Sequence, residues 1–197
     1  MRRTSCRNSY RGNLLKNSAT ALFATGFAAL FVVSCSSGPG GSDAKPTPSK
    51  SSASKSAADD AAARKDVLAA YSGMRTEQVK AYAKGKASGT KLEKYATDKA
   101  LATVEGNLFR YRQGGIVFKG KPKSSAKVTA LSLSDKPKTA TVTECLDTTH
   151  WKPVVKSSGK EAASGNQPRR YTVTGTVRTI GKTWMVVGLT ADKGHPC

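Results

Sequence analysis

From Ala58 to Lys86 the chain repeats apolar positions at helical spacing. Val67, Tyr71, Met74, Gln78 and Tyr82 follow one another at intervals of four, three, four and four, with Leu68 and Val79 beside them. A stripe of this kind, polar only at Gln78, predicts one long amphipathic helix. Asp59 and Asp60 fall near its start, where the positive end of the helix dipole favours them, and Gly85 and Gly89 supply the stop. "KLEKYAT" (Lys91 to Thr97) predicts a short second helix. "DKALATVEGNLFRYRQGG" (Asp98 to Gly115) predicts a third, with Leu101, Val104, Leu108 and Tyr111 on its apolar stripe and Gly114-Gly115 at its end. Gly106 weakens it from inside.

From Ile116 the period changes to two. "GIVFKG", "AKVTALSL", "KTATVTECLD", "RRYTVTGTVRTI" and "KTWMVVGLTAD" are rich in Val and Thr and are separated by turn signals, so they predict strands. "LSDKPK" and "IGK" read as hairpin connections, and "KSSGKEAASGNQP" (Lys156 to Pro168) as a longer mobile loop. In the fourth of these runs Tyr171, Val173, Gly175 and Val177 share one face and Thr172, Thr174, Thr176 and Arg178 the other, which suits a sheet with one dry face. The last run is apolar on both faces, with Trp184 and Val186 on one and Met185, Val187 and Leu189 on the other, which predicts a covered, central strand. Gly175 and Gly188 fall mid-strand, where glycine marks a bulge or bend. Helices first, then strands, predicts an α+β domain: N-terminal helices packed on a curved antiparallel sheet of four to five strands.

The start of the chain changes the picture of where that domain works. Arg2, Arg3, Arg7, Arg11 and Lys16 precede an apolar run, "ATALFATGFAALFVVS" (Ala19 to Ser34), and then Cys35. A basic start, an apolar centre and small residues at the end are the parts of an export signal. The run has 16 residues, short of the about 20 that a membrane span needs. "VVSC" (Val32 to Cys35) resembles the lipobox of bacterial lipoproteins. That resemblance implies cleavage before Cys35 and lipid on its thiol, holding the mature protein at the outer face of the cell membrane. Several acyl chains anchor stably where one does not. "SSGPGGSDAKPTPSKSSASKS" (Ser36 to Ser56) has no large apolar residue and predicts a disordered tether, spanning roughly 25 Å as a coil. The expected layout is therefore a signal over residues 1–34, a lipidated cysteine and tether over 35–56, and one domain over 57–197.

Charge bears on partners. The chain has 33 basic and 13 acidic residues; without the five bases of the leader, 28 face 13, a net of +15. Outside a cell the available anions are lipid head groups and cell-wall polymers. No aromatic-interleaved basic motif accompanies the charge, so nucleic acid is not the expected partner. A solvated basic surface is the plainer reading of lysines scattered through the chain.

Candidate chemistry gathers in "VTECLDTTHW" (Val142 to Trp151). Cys145, His150, His195 and Cys197 are the domain's only cysteines and histidines. They are ligand types suited to structural zinc, but Cys-x4-His followed far away by His-Pro-Cys matches no compact zinc motif. In an oxidising compartment the expected pairing is a disulfide between Cys145 and Cys197. It closes 53 residues, a restriction of roughly 4 kcal/mol on the unfolded chain. Free thiols, with Cys145 as a nucleophile beside Asp147 and His150, are the competing reading. Asp147 reads as a turn residue or, alternatively, as a cavity carboxylate and the one weak catalytic candidate. Tyr95, Tyr111 and Tyr171 read as core rings with hydroxyls at the edge or as lining of the same cavity. Glu105 lies off its helix stripe. Trp151 and Trp184 read as core. No phosphate-cradling loop, paired-carboxylate metal motif or serine elbow is present, and no cofactor or metal is expected.

The order of elements, with "AYSGM", "LEKYATDKAL", "TVTECLDTTHW", "RYTVTGTV", "WMVVGL" and a terminal "PC", resembles small exported Gram-positive bacterial proteins with a nuclear transport factor two-like (cystatin-like) cone. The resemblance implies a cone-shaped fold with a space between sheet and helices. It implies little about activity, because that fold carries enzymes and binding modules alike. The expectation is a lipid-anchored binding or interaction module at the cell envelope. A small lyase, isomerase or ligand carrier using the cavity is the alternative.

Overall fold

The computed structural model describes residues 51–162 and 165–197, with side chains from Lys55 onward. The expected signal peptide, Cys35 and residues 36–50 of the expected tether lie outside the described residues.

Helix α1 (Ser51–Lys84) is long because its C-terminal two thirds are packed and its Ala-rich start continues the same turn. It begins inside the segment read as a tether. Asp59 and Asp60 therefore sit in its third turn, and its first turn carries no acid. Val67, Tyr71, Met74, Gln78 and Tyr82 are all buried, as the stripe predicts. Gly85 ends the helix at φ +72°, and the Lys86 N–H donates to the Ala81 carbonyl at 3.1 Å. That pair closes the last turn as a Schellman motif, which needs a left-handed residue there. Glu77 fastens the connection that follows: its carboxylate accepts from the Lys80 ammonium and from the Lys91 N–H. Helix α2 (Leu92–Tyr95) and helix α3 (Asp98–Gln113) come next. The buried residues of α3 are Ala100, Val104 and Leu108, and Leu101 is only partly covered.

Among the described residues six antiparallel strands form two sheets. Strands β2 (Lys123–Ser132), β3 (Thr139–Asp147), β5 (Arg170–Ile180) and β6 (Thr183–Asp192) form one in the order β2-β3-β5-β6. Strands β1 (Ile116–Gly120) and β4 (Trp151–Val155) pair separately. Strand β4 was not legible in the sequence because Pro153 interrupts "WKPVV" and two sheets were not anticipated. Proline is tolerated there because its missing N–H faces away from β1, on the side where the Pro153 carbonyl accepts from the Ala162 N–H at 2.9 Å.

Strand β6 is an edge, not the central strand its two apolar faces suggest. The α2–α3 corner covers it instead: the Thr97 N–H donates to the Val186 carbonyl at 3.0 Å, and Ala96 bridges to Val186. A sheet edge closed by a helix corner is protected from further pairing. The strand also carries a bulge. Its register with β5 steps from Thr176–Gly188 to Val177–Val186, leaving Val187 unpaired. One extra residue reverses the alternation beyond it. Leu189 and Ala191 thus join Trp184 and Val186 on the inner face, opposite Gly175 and Val173.

The core lies between the helices and the inner face of the four-stranded sheet. Gly175 is required there by close approach. A Cβ at that position would stand 2.5 Å from the Tyr71 ring.

Candidate functional site

Strand β3 sets the chemistry by alternation. Ala140, Val142, Glu144 and Leu146 point inward and are buried; Thr141, Thr143, Cys145 and Asp147 occupy the other face. Glu144 is therefore a carboxylate at a core position, with its side chain fully buried. Three donors meet it. The Arg75 guanidinium reaches Oε2 at 2.5 Å, the Tyr71 hydroxyl donates to the same oxygen at 2.8 Å, and the Ser124 hydroxyl donates to Oε1. Arg75 also donates to the Tyr71 hydroxyl at 2.9 Å and to Gln78 Oε1 at 2.7 Å. Burial pushes the Tyr71 phenol well above its ordinary value, and the Glu144 charge adds to this while Arg75 opposes it. Burial works against the Arg75 charge, but Tyr71 and Glu144 outweigh it and leave the guanidinium above its ordinary value. Paired and hydrogen-bonded in this way, a buried ion pair is tolerated; with one partner missing it is not.

Arg75 and Gln78 are also the polar floor of a cavity of about 400 Å³. One wall is aromatic. Tyr82, Phe118 and Trp151 stand with ring centroids 5.0–5.2 Å apart, and Tyr111 closes on Phe118 at 4.9 Å. Tilted and edge-on contacts at these distances are the favourable ones for rings. The opposite wall is the sheet, through Leu146, Tyr171, Val173 and Leu189. Leu189 reaches it only because of the β6 bulge. Burial pushes the Tyr82 phenol up to about 12.

The mouth is basic. Arg110 on α3, Arg169 before β5 and Lys193 after β6 line it and are exposed. Arg110 donates to Asn107 Oδ1, and Lys193 to Gln167 Oε1. Neither meets a carboxylate among the described residues. Arg169 stands 3.7 Å from Glu161, which Lys152 holds more closely at 2.8 Å. Among the described residues, no Asp, Glu or His lines the cavity.

The expected site residues separate into two groups. Tyr111 and Tyr171 line the cavity. Tyr95 does not: its ring lies over Gly73 on α1, where a Cβ would come within 2.5 Å of it. Asp147 is not a cavity carboxylate. It shares the outward parity of Cys145, accepts from the Thr149 N–H at 2.9 Å, and is held below the usual carboxylate range by the Thr149 hydroxyl and amide. It is the turn-former at the end of β3. Cys145 and Cys197 are joined by a disulfide with Cα atoms 5.7 Å apart, so neither is a free nucleophile. His150 is exposed, and His195 pairs with Asp192 at 2.6 Å. Among the described residues no three metal-ligating side chains gather. Glu105 is exposed. Trp184 is core, whereas Trp151 is both buried and part of the cavity wall.

Arg75 and Glu144 were missed as a pair. The signal was present: in "TATVTECLD" the glutamate falls on the parity of Ala140, Val142 and Leu146. A charge on a core parity demands a partner, and Arg75 stands one helical turn from Tyr71 on the stripe edge.

No family model matches the chain, and no curated protein matches it. Among solved structures the chain is similar to the intermembrane space region of the chloroplast protein ARC6, at 14% identity and a TM-score of 0.39, over 65% of this chain and 95% of that one. A likeness of that size carries no argument about fold or function.

Proposed function

We propose that the protein is a lipid-anchored, exported binding module of the cell envelope, and that its cavity holds a small ligand. The cavity carries this reading. It has an aromatic wall, polar groups at its floor and a volume within the roughly 300–1,000 Å³ of small-molecule sites. With Asp147 turned outward and Glu144 engaged by three donors, no free acid–base pair faces a ligand among the described residues, which supports binding over turnover. The helices-then-sheet layout with an internal space supports a nuclear transport factor two-like cone as the finer description of the fold. The net basic charge supports an added attraction to anionic lipid or wall polymer.

The reading is tested in two parts. Mass spectrometry of the mature protein reports acyl chains on Cys35; an unmodified Cys35, or a retained leader, overturns the anchor. Calorimetry with an uncharged aromatic probe, 2-naphthaleneacetamide, is expected to show one saturable site in the full chain. Leu189→Trp, which fills the cavity, is expected to abolish it. Binding that survives Leu189→Trp overturns the cavity as the site.

A further inference from the structure

Two buried hydrogen-bond donors on the cavity residues have no acceptor among the described residues. The Trp151 indole N–H is unpartnered although the residue is only 8% exposed, and the Arg75 Nε–H is likewise unpartnered within a side chain 11% exposed. Both residues line the cavity. A buried donor left unpaired keeps its desolvation penalty without a compensating bond, so both are suited to a ligand oxygen. The charge of Arg75 is already answered by Glu144 at 2.5 Å. Its spare N–H therefore calls for an acceptor without requiring a second full negative charge at the floor.

The mouth differs. Among the described residues the hydrogen-bond acceptors of Arg110 and Lys193 are amide oxygens, and Arg169 stands 3.7 Å from a carboxylate that Lys152 holds more closely. Exposed cations around a low-dielectric opening focus their field on whatever enters. Tyr171 adds a ring on which Lys193 already rests, 5.7 Å from its centroid. The site is therefore graded from cationic at the entrance, through aromatic, to hydrogen-bond-donating at the base.

We propose that the ligand is an organic acid of matching polarity: an apolar, ring-bearing body against Tyr82, Phe118 and Trp151, an acceptor oxygen at the floor, and an anionic group at the mouth beside Arg110, Arg169 and Lys193. This rests on the cavity being a ligand site, and the test separates the two ideas.

Calorimetry is run on the full chain in uncharged phosphatidylcholine nanodiscs, with empty nanodiscs subtracted. The probes are 2-naphthaleneacetate and its neutral match, 2-naphthaleneacetamide. The acid is expected to bind about tenfold more tightly than the amide at low ionic strength, with the margin shrinking as salt rises. Arg110→Gln with Lys193→Gln, both at exposed positions lining the mouth, is expected to bring the acid-to-amide ratio close to one. Trp151→Phe keeps an aromatic side chain but removes the indole N–H and part of the ring's bulk, and is expected to weaken both probes; unchanged binding of both overturns the floor acceptor. In a Trp184→Phe chain, binding is expected to shift the remaining Trp151 emission. Equal affinity for acid and amide, or a preference that survives the double substitution, overturns the organic-acid proposal and leaves the cavity reading standing. Binding of neither probe overturns both.

Discussion

Removing the Glu144 carboxylate is the sharpest perturbation the structure offers. Glu144→Ala strips three donors of their acceptor at once: Arg75 and Tyr71 at Oε2 and Ser124 at Oε1. Ser124 is exposed and turns to water. Arg75 and Tyr71 do not have that option, being 11% exposed in the side chain and fully buried, respectively. An uncompensated buried charge costs about 3–5 kcal/mol. The orphaned phenol belongs to the same network, so its cost is not a separate sum. For a domain of this size that loss lowers Tm by roughly 10–20 °C and removes a large part of the about 5–15 kcal/mol that holds an ordinary domain together. The informative companion is the triple variant Tyr71→Phe, Arg75→Met, Glu144→Leu. It replaces the whole network with apolar groups, and its expected stability lies within about 1–2 kcal/mol of the parent. Urea unfolding followed by tryptophan emission and by circular dichroism measures both. A loss below about 1 kcal/mol in Glu144→Ala, or a triple variant no more stable than Glu144→Ala, refutes the account of a charge buried only because it is paired.

Other outcomes follow from the same geometry. Gly175→Ala places a methyl 2.5 Å from the Tyr71 ring and is expected to cost about 1–3 kcal/mol by overpacking, whereas Gly106→Ala on α3 meets nothing within 4 Å and is expected to stabilise slightly; urea midpoints compare them. Cys197→Ser is expected to cost about 4 kcal/mol in the chain-entropy account, and adding reductant to the parent is expected to reproduce it; a variant as stable as the parent sinks this. The Tyr71 and Tyr82 phenols are held above their ordinary values by burial, Tyr82 at about 12. The unfolded chain loses those protons near pH 10 while the fold keeps them, so stability is full below about pH 10 and falls as pH rises through 12. Absorbance at 295 nm against pH tests this: reversible titration of every tyrosine near pH 10 with the fold intact contradicts it.

Local patterning carried far along this chain. The α1 stripe, the three helices, the change of period at Ile116 and five of the six strands are all read from spacing, because a helix face and a strand face are properties of near neighbours. The parity of β3 alone is enough to separate Asp147 and Cys145 from Glu144 and Leu146. What the sequence by itself could not decide depends on partners distant along the chain. Strand β6 looks central by composition, but the α2–α3 corner covers its edge, and the bulge at Val187 moves Leu189 to the other face. Tyr82, Phe118 and Trp151 come from a helix and two separated strands, so only their packing makes one wall. Arg75 and Glu144, 69 residues apart, become a pair only when α1 crosses the sheet. A periodic pattern says which way a side chain points; the fold decides what it meets there.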